Sequence, residues 1–344
     1  ARLRAMVDPE TGWLGSLVDL ERDAELLASS PGAHAAVLAD ATDTWSHGAS
    51  AYRDEVGAFA CGSVRVLEDG PVRSVVRMVS RYRRSTLTED LLLGGEGHLE
   101  VRATLDWHER LALLKLRVAS ALRGVRATFE IPYGHVERRP DGGEEPVGAW
   151  VDLSGTLPDG RRAGLAVLND GKHAVDVLDG RVGLTVARSP VYAWHEPRRL
   201  DPAEDYAYLD QGVQRFTYRL LPHAGDWRAA GVARAAAELN QSPVALLESC
   251  HPGPLEQRGS FAWAEPPSVM LTVLKHAEDG DGDLVVRAQE TAGRPVPRAT
   301  IGLELLGRRI ATAFGAHQIR TFRIPADPNR PAVETDLLER PLAT

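Results

Sequence analysis

Residues 150–190, WVDLSGTLPDGRRAGLAVLNDGKHAVDVLDGRVGLTVARSP, hold four short apolar runs separated by turn formers. The runs are WVDLSG, GLAVLND, HAVDVLD and RVGLTVARSP. Between them, Asn169-Asp170-Gly171 and Asp179-Gly180 are strong hairpin signals, because Gly readily takes the positive φ that a tight turn requires. Strands this short, each returning on the last, bury their apolar face only against another layer. The stretch therefore predicts an antiparallel β-sandwich.

The pattern continues outward from there. Leu3–Val18 reads as a hairpin around Pro9 and Gly12, and Cys61–Arg83 as another around Glu68-Asp69-Gly70-Pro71. His98–Ser120 splits into two runs at the charged corner His108-Glu109-Arg110, and Arg126–Ile131 is a strand ending at Pro132-Tyr133-Gly134. The run LALLKLRVA, Leu111–Ala119, is made of helix formers, but its period is that of a strand. Glu21–Ala41 has no convincing period, and Arg139–Gly148 reads as turn formers and solvated charge. Ala229–Leu239 is the best helix, bounded by Asn240 and Pro243, and is expected to cover a sheet edge or bridge two layers. The fold class is all-β: a large β unit over 1–250, a Pro- and Gly-rich linker over 251–267, and a small β-sandwich over 268–344, with one short helix.

Composition narrows the function. A net charge of −8 and a pI near 5.8 argue against nucleic acid or an anionic membrane as partner, since both demand clustered excess Lys and Arg. Cys61 and Cys250 are too few for a disulfide framework and too far apart for a metal pair, which fits a reducing compartment. No window reaches the roughly 18 uncharged apolar residues of a membrane span, and the N-terminus lacks a signal-peptide pattern, so a cytoplasmic location is expected. The chain opens directly on a strand, as a piece of a longer polypeptide would.

Two stretches look like a site. In Arg188–Leu209, Tyr192, Trp194, Tyr206 and Tyr208 stand among Pro190, Pro197 and Pro202, a composition that forbids a regular helix and favours an aromatic-lined loop. Val213–Leu221 alternates as a strand and pins that loop to a sheet. In DTWSHGASAYRDE, Asp43–Glu55, Trp45 and His47 beside Asp43 form a candidate sugar platform, an apolar ring face with a carboxylate for hydroxyls; the alternative is that Trp45 simply caps the core. His47, His195 and His223 lack the local spacing of a zinc site such as HExxH, so no metal ligands are expected in this chain. Ser189 lies outside any G-x-S-x-G elbow, and there is no Gly-rich phosphate loop.

Nine motifs in order, DTWSHG (43–48), LDWHER (105–110), EIPYGHVER (130–138), LNDGKHAVDV (168–177), RSPVYAWHEP (188–197), DQGVQRFTYRLLPHAGDW (210–227), LKHAEDGDG (274–282), QIRTFRI (318–324) and ETDLLER (334–340), span nearly the whole chain. Together they resemble the C-terminal half of bacterial glycoside hydrolase family 38 α-mannosidases. The resemblance implies a mutarotase-like antiparallel supersandwich followed by a small sandwich. It also implies an N-terminal barrel elsewhere in the parent protein, carrying an Asp nucleophile, a carboxylic acid/base and a zinc ion held by His and Asp. On that view no catalytic residue lies here, and the partners are that barrel and a mannose-containing glycan. Candidates for sugar contact are Asp43, Trp45, His47, Arg188, Tyr192, Trp194 and Asp210. Arg188 either clamps paired hydroxyls or orients a carboxylate, or else simply pairs with Asp210 inside the loop, and Asp205 either accepts from the sugar or is a solvated turn residue. Two other readings are open, a free carbohydrate-binding module and a mutarotase-like epimerase using His195 and Glu196. The second is weakened because adjacent residues on an extended chain point to opposite faces.

Overall fold

The computed structural model describes residues 2–28, 32–254 and 256–342. It divides into two compact units, 1–131 with 136–240 and 132–135 with 241–344.

The first unit is built on two nine-stranded antiparallel sheets. In one, edge to edge, run Leu3–Val7, Leu14–Asp19, Ala33–Ala39, Ala112–Ala119, Arg181–Arg188, Ala174–Leu178 and Asp141–Pro146, with the short strands Ala24–Glu25 and Glu55–Ala58 added beside it. In the other, starting at the edge strand Gly134–Arg138, the order is Arg123–Ile131, Trp150–Thr156, Arg162–Asn169, Gly212–His223, Leu99–Trp107, Ser85–Leu93, Ser74–Tyr82 and Ala60–Asp69. Strict alternation made these strands readable. Along Leu99–Trp107 the residues Leu99, Val101, Ala103, Leu105 and Trp107 all point into the core shared by both sheets, each large side chain contributing about 1.5–3 kcal/mol. The run of helix formers Ala112–Ala119 is a strand because it sits mid-sheet and is buried on both faces. Leu114, Leu116 and Val118 enter the main core, and Leu113, Lys115 and Arg117 the opposite face.

Three sequence expectations need correction. Arg139–Gly148 is not solvated turn: Asp141–Pro146 is an edge strand paired with Ala174–Leu178, where Pro146 is tolerated, and its Glu144 turns inward to the buried cation of Lys115. Within Glu21–Ala41, of which residues 29–31 lie outside the described residues, Ala33–Ala39 is an interior strand. The helix is Val232–Asn240, starting after the turn at Gly231 (φ 70°). It packs Val232, Ala236 and Leu239 on Trp150, Ala166, Leu168 and Trp227, so it covers the outer face of two interior strands and not an edge.

Gly164 shows how tightly these strands are matched. It lies opposite His223, whose buried ring is held by Asp152 (Nε2 to Oδ1, 2.7 Å), and a Cβ at Gly164 would stand 2.1 Å from that ring. Gly164→Ala is expected to cost about 1–3 kcal/mol by overpacking, read as a lower urea midpoint at unchanged m. A variant as stable as the parent would show the ring to be free to move.

In the second unit, Ala262–Glu265, Val296–Leu303 and Arg308–Phe314 form one sheet, and Val269–His276, Leu284–Glu290, Ile319–Ile324 and Val333–Thr335 another. Both contribute to a core of Val269, Val286, Ile301, Phe314, Phe322 and Ile324, a small sandwich. The stretch read as linker, 251–267, includes the strand Ala262–Glu265, while the described residues of 241–261 form neither strand nor helix. Among the described residues no helix is long and apolar enough to cross a membrane.

Candidate functional site

Ala33–Ala39 and Arg181–Arg188 both run antiparallel to the strand between them, Ala112–Ala119, so they run parallel to each other and end at the same rim. The loops that follow, 40–54 and 189–211, meet there. Ser189 is anchored beneath them, its Oγ donating to the Ala112 carbonyl (2.9 Å) and accepting from Trp107 Nε1 (3.3 Å).

Arg188 ties the loops together. Its Nη1 donates to the Thr44 carbonyl (2.9 Å), its Nη2 to Thr42 Oγ1 (2.6 Å) and the Asp43 carbonyl, and its Nε lies 2.7 Å from Asp40 Oδ2. The guanidinium also stands over the Tyr52 ring, 5.8 Å from its centre. The expected pairing of the Arg188 side chain with Asp210 is not formed; Asp210 instead accepts the Arg188 backbone N–H (2.9 Å). Asp40 was missed in the sequence, because the strand that it follows, Ala33–Ala39, shows no convincing period and its place in the sheet is set by long-range pairing. From the other loop, the Val191 carbonyl accepts from Thr44 Oγ1 (2.7 Å) and the Trp194 carbonyl from Thr44 N–H (3.1 Å).

Asp43 is fully buried under this junction. Its Oδ1 accepts the backbone N–H groups of Trp45 and His47 (both 3.0 Å), and its Oδ2 accepts His47 Nδ1–H (2.7 Å) and the Glu196 N–H (3.2 Å). Burial by itself would raise the pKa, but the hydrogen bonds from His47 and Glu196 outweigh it and hold the carboxyl well below the usual range. His195, on the second loop, brings its ring centre to 4.6 Å from that of His47 and 5.6 Å from that of Trp45. Three of the predicted residues thus share one cluster with His195, and chain spacing alone concealed it. Trp45 is 58% and Tyr192 66% exposed, so Trp45 does not cap the core. Trp194 is half-buried with its Nε1 donating to the Arg198 carbonyl (2.5 Å), and Asp205 is exposed in the irregular part of the loop, outside any turn. His223 is elsewhere, buried with Asp152.

The arrangement offers exposed rings beside three carboxylates, Asp40, Asp43 and Asp210, that already have partners. Asp43 carries four donors on its two oxygens, and ligand atoms of Asp43, His47 and His195 lie within 4.8 Å of one another, a grouping that the local spacing of the sequence does not show.

The model of the glycosyl hydrolases family 38 C-terminal domain matches residues 1–197, more than half of the chain. The chain belongs to this family. Human Alpha-mannosidase 2C1 is 30% identical over 313 residues, which is 86% of this chain and 28% of the human protein. Alpha-mannosidase G of Dictyostelium discoideum is 27% identical over 252 residues, 67% of this chain and 21% of its own length. An alpha-mannosidase from Enterococcus faecalis V583 superposes over 94% of this chain and 41% of its own, with a TM-score of 0.73 at 15% identity, a likeness of fold. This family 38 domain therefore spans less than a third of those two sequence relatives.

Proposed function

We propose that the chain is the non-catalytic C-terminal portion of a retaining α-mannosidase, packing on the catalytic barrel of its parent protein and bordering the sugar pocket with the rim around Asp43 and Arg188. One observation carries the reading: Asp40, Asp43 and Asp210 are each held by donors of the protein itself, while Trp45 and Tyr192 face outward. Asp40 pairs with Arg188, Asp210 holds its backbone, and Asp43 takes four donors. A retaining glycosidase needs two free carboxyls about 5 Å apart, a nucleophile and an acid. In this reading those groups and the zinc ion belong to the barrel, and this domain contributes apolar ring faces to a mannose-containing glycan.

The chain alone is expected to leave an aryl α-mannoside intact, whereas in the parent enzyme Trp45→Ala or Tyr192→Ala should raise KM by roughly three- to tenfold, the equivalent of about 0.5–1.5 kcal/mol for a lost ring contact. Turnover by the isolated chain that one carboxylate substitution abolishes would overturn the non-catalytic role. An unchanged KM in both variants would remove the rim from the pocket. The same exposed rings favour, as a second reading, a carbohydrate-binding module. Calorimetric heat with mannose or mannobiose, lost in Trp45→Ala, would support it.

A further inference from the structure

We propose that His47 and His195, oriented from behind by Asp43 and the Glu196 carbonyl, form a site for a divalent first-row transition-metal ion of the kind that prefers imidazole nitrogen, such as Cu2+, Ni2+ or Zn2+. The proposal does not depend on the sugar-pocket reading.

The tautomers carry it. A carboxylate only accepts, so the 2.7 Å contact between His47 Nδ1 and Asp43 Oδ2 places the His47 proton on Nδ1 and the lone pair on Nε2. His195 Nδ1 faces the Glu196 carbonyl, also an acceptor only, so the same assignment follows for the second ring. Two imidazoles whose ring centres are 4.6 Å apart therefore both keep Nε2 available, with no other polar partner to that atom among the described residues. An imidazole that ligates a metal almost always donates its other N–H to a carboxylate or a backbone carbonyl, and here one ring has each kind of partner. Donor atoms, one each from Asp43, His47 and His195, can be chosen within 4.8 Å of one another. Metal–nitrogen bonds of about 2.0–2.1 Å put two ligating nitrogens no more than about 4.2 Å apart, and two exposed rings with centres 4.6 Å apart can turn to present them.

The division of labour within the cluster also follows. Asp43 is buried and its oxygens carry four hydrogen bonds, so it positions His47 and does not itself enter the coordination shell. Two protein nitrogens leave the other positions to water or to an oxygen ligand, an open site. With two imidazole nitrogens as the protein ligands, affinity should follow the usual nitrogen series, with Cu2+ above Ni2+ and Zn2+, and Mg2+ and Ca2+, which want oxygen, should not compete.

Trp45 gives the experiment a local probe, since its ring centre lies 5.6 Å from that of His195. Titrating CuCl2 into the 344-residue chain should quench tryptophan fluorescence saturably, and Trp45→Phe should remove most of that change. Isothermal calorimetry should give one ion per chain, and the electron paramagnetic resonance spectrum should show coupling to two nitrogens. His47→Ala and His195→Ala should each weaken binding at least tenfold, Asp43→Asn by about 10–100-fold as an outer-shell change, and His251→Ala, an exposed histidine elsewhere, should leave it unchanged. The ring of His195 is exposed and bonded only to the neighbouring Glu196 carbonyl, so His195→Ala should melt like the parent without metal, which keeps the test independent of folding. No saturable binding, or binding that survives both histidine substitutions, would overturn the site.

Discussion

Lys115→Met should lower the unfolding free energy of the chain by about 3–5 kcal/mol, the cost of leaving buried anions without their cation. Lys115 is fully buried on the outer face of the first sheet, and its Nζ reaches Glu144 Oε2 (2.5 Å), Asp176 Oδ2 (2.7 Å) and Thr185 Oγ1 (2.9 Å). Arg117 Nη1 holds the other oxygen of Asp176 at 2.9 Å, and Thr185 Oγ1 donates to Glu144 Oε1 (2.5 Å). Met matches the aliphatic stem of Lys, so packing loss is small and the charge effect dominates. Asp176 keeps Arg117, whereas Glu144 keeps only a hydroxyl and is the group stranded. The double variant Lys115→Met/Glu144→Gln should accordingly recover much of the loss, because a buried ion pair replaced on both sides costs little while one broken on a single side costs most. Urea unfolding at neutral pH reads both. A loss below about 1 kcal/mol for Lys115→Met, or no recovery in the double variant, would mean that solvent reaches this network.

The same network marks where sequence reading stopped. Strands such as Leu99–Trp107 were legible because one face is apolar at every second residue, and a sandwich followed from their number and spacing. Asp141–Pro146 was not, since DGGEEP has no apolar face at all; it is recruited by a lysine 29 positions earlier in the chain. Pairing with a buried charge leaves no periodic trace. The rim behaved likewise. Arg188, Trp45 and Asp43 stood out by residue type within their loops, but the partner of Arg188 is Asp40, 148 residues away, and His47 meets His195 at the same separation. Both meetings arise because two strands flanking a third must run parallel and end together. Sheet order decides that, and sheet order is set by long-range packing that no local window contains.

Glu89→Gln should stabilise the chain in a strongly pH-dependent way, by nothing at pH 4 and by about 3 kcal/mol above pH 7. Glu89 lies on Ser85–Leu93 at an inward position in the alternation that places Leu87 and Leu91 in the core, with Tyr218 Oη donating to its Oε1 at 2.9 Å. Burial pushes its carboxyl up to about 7 from 4.5, the single hydrogen bond opposing this weakly. The sign follows from proton binding: between these two values the folded chain holds a proton that the unfolded chain has lost, so stability is full below 4.5, falls as pH rises to about 7, and is level beyond. His34 acts in the opposite sense. Burial, with Arg117 and Arg181 nearby, holds it at about 4 against 6.5 unfolded, so its contribution falls away as pH drops through that interval. Between about pH 4.5 and 6.5 these two slopes oppose each other. Gln at position 89 keeps an acceptor for Tyr218 and removes the charge, so the unfolding free energy of Glu89→Gln minus that of the parent should rise steadily from about pH 4.5 to about 7. Denaturant curves at half-unit pH intervals would show it. A gain over the parent that is constant across the range would mean that Glu89 is solvated in the folded chain, and that its place among the leucines of the core is reached by water.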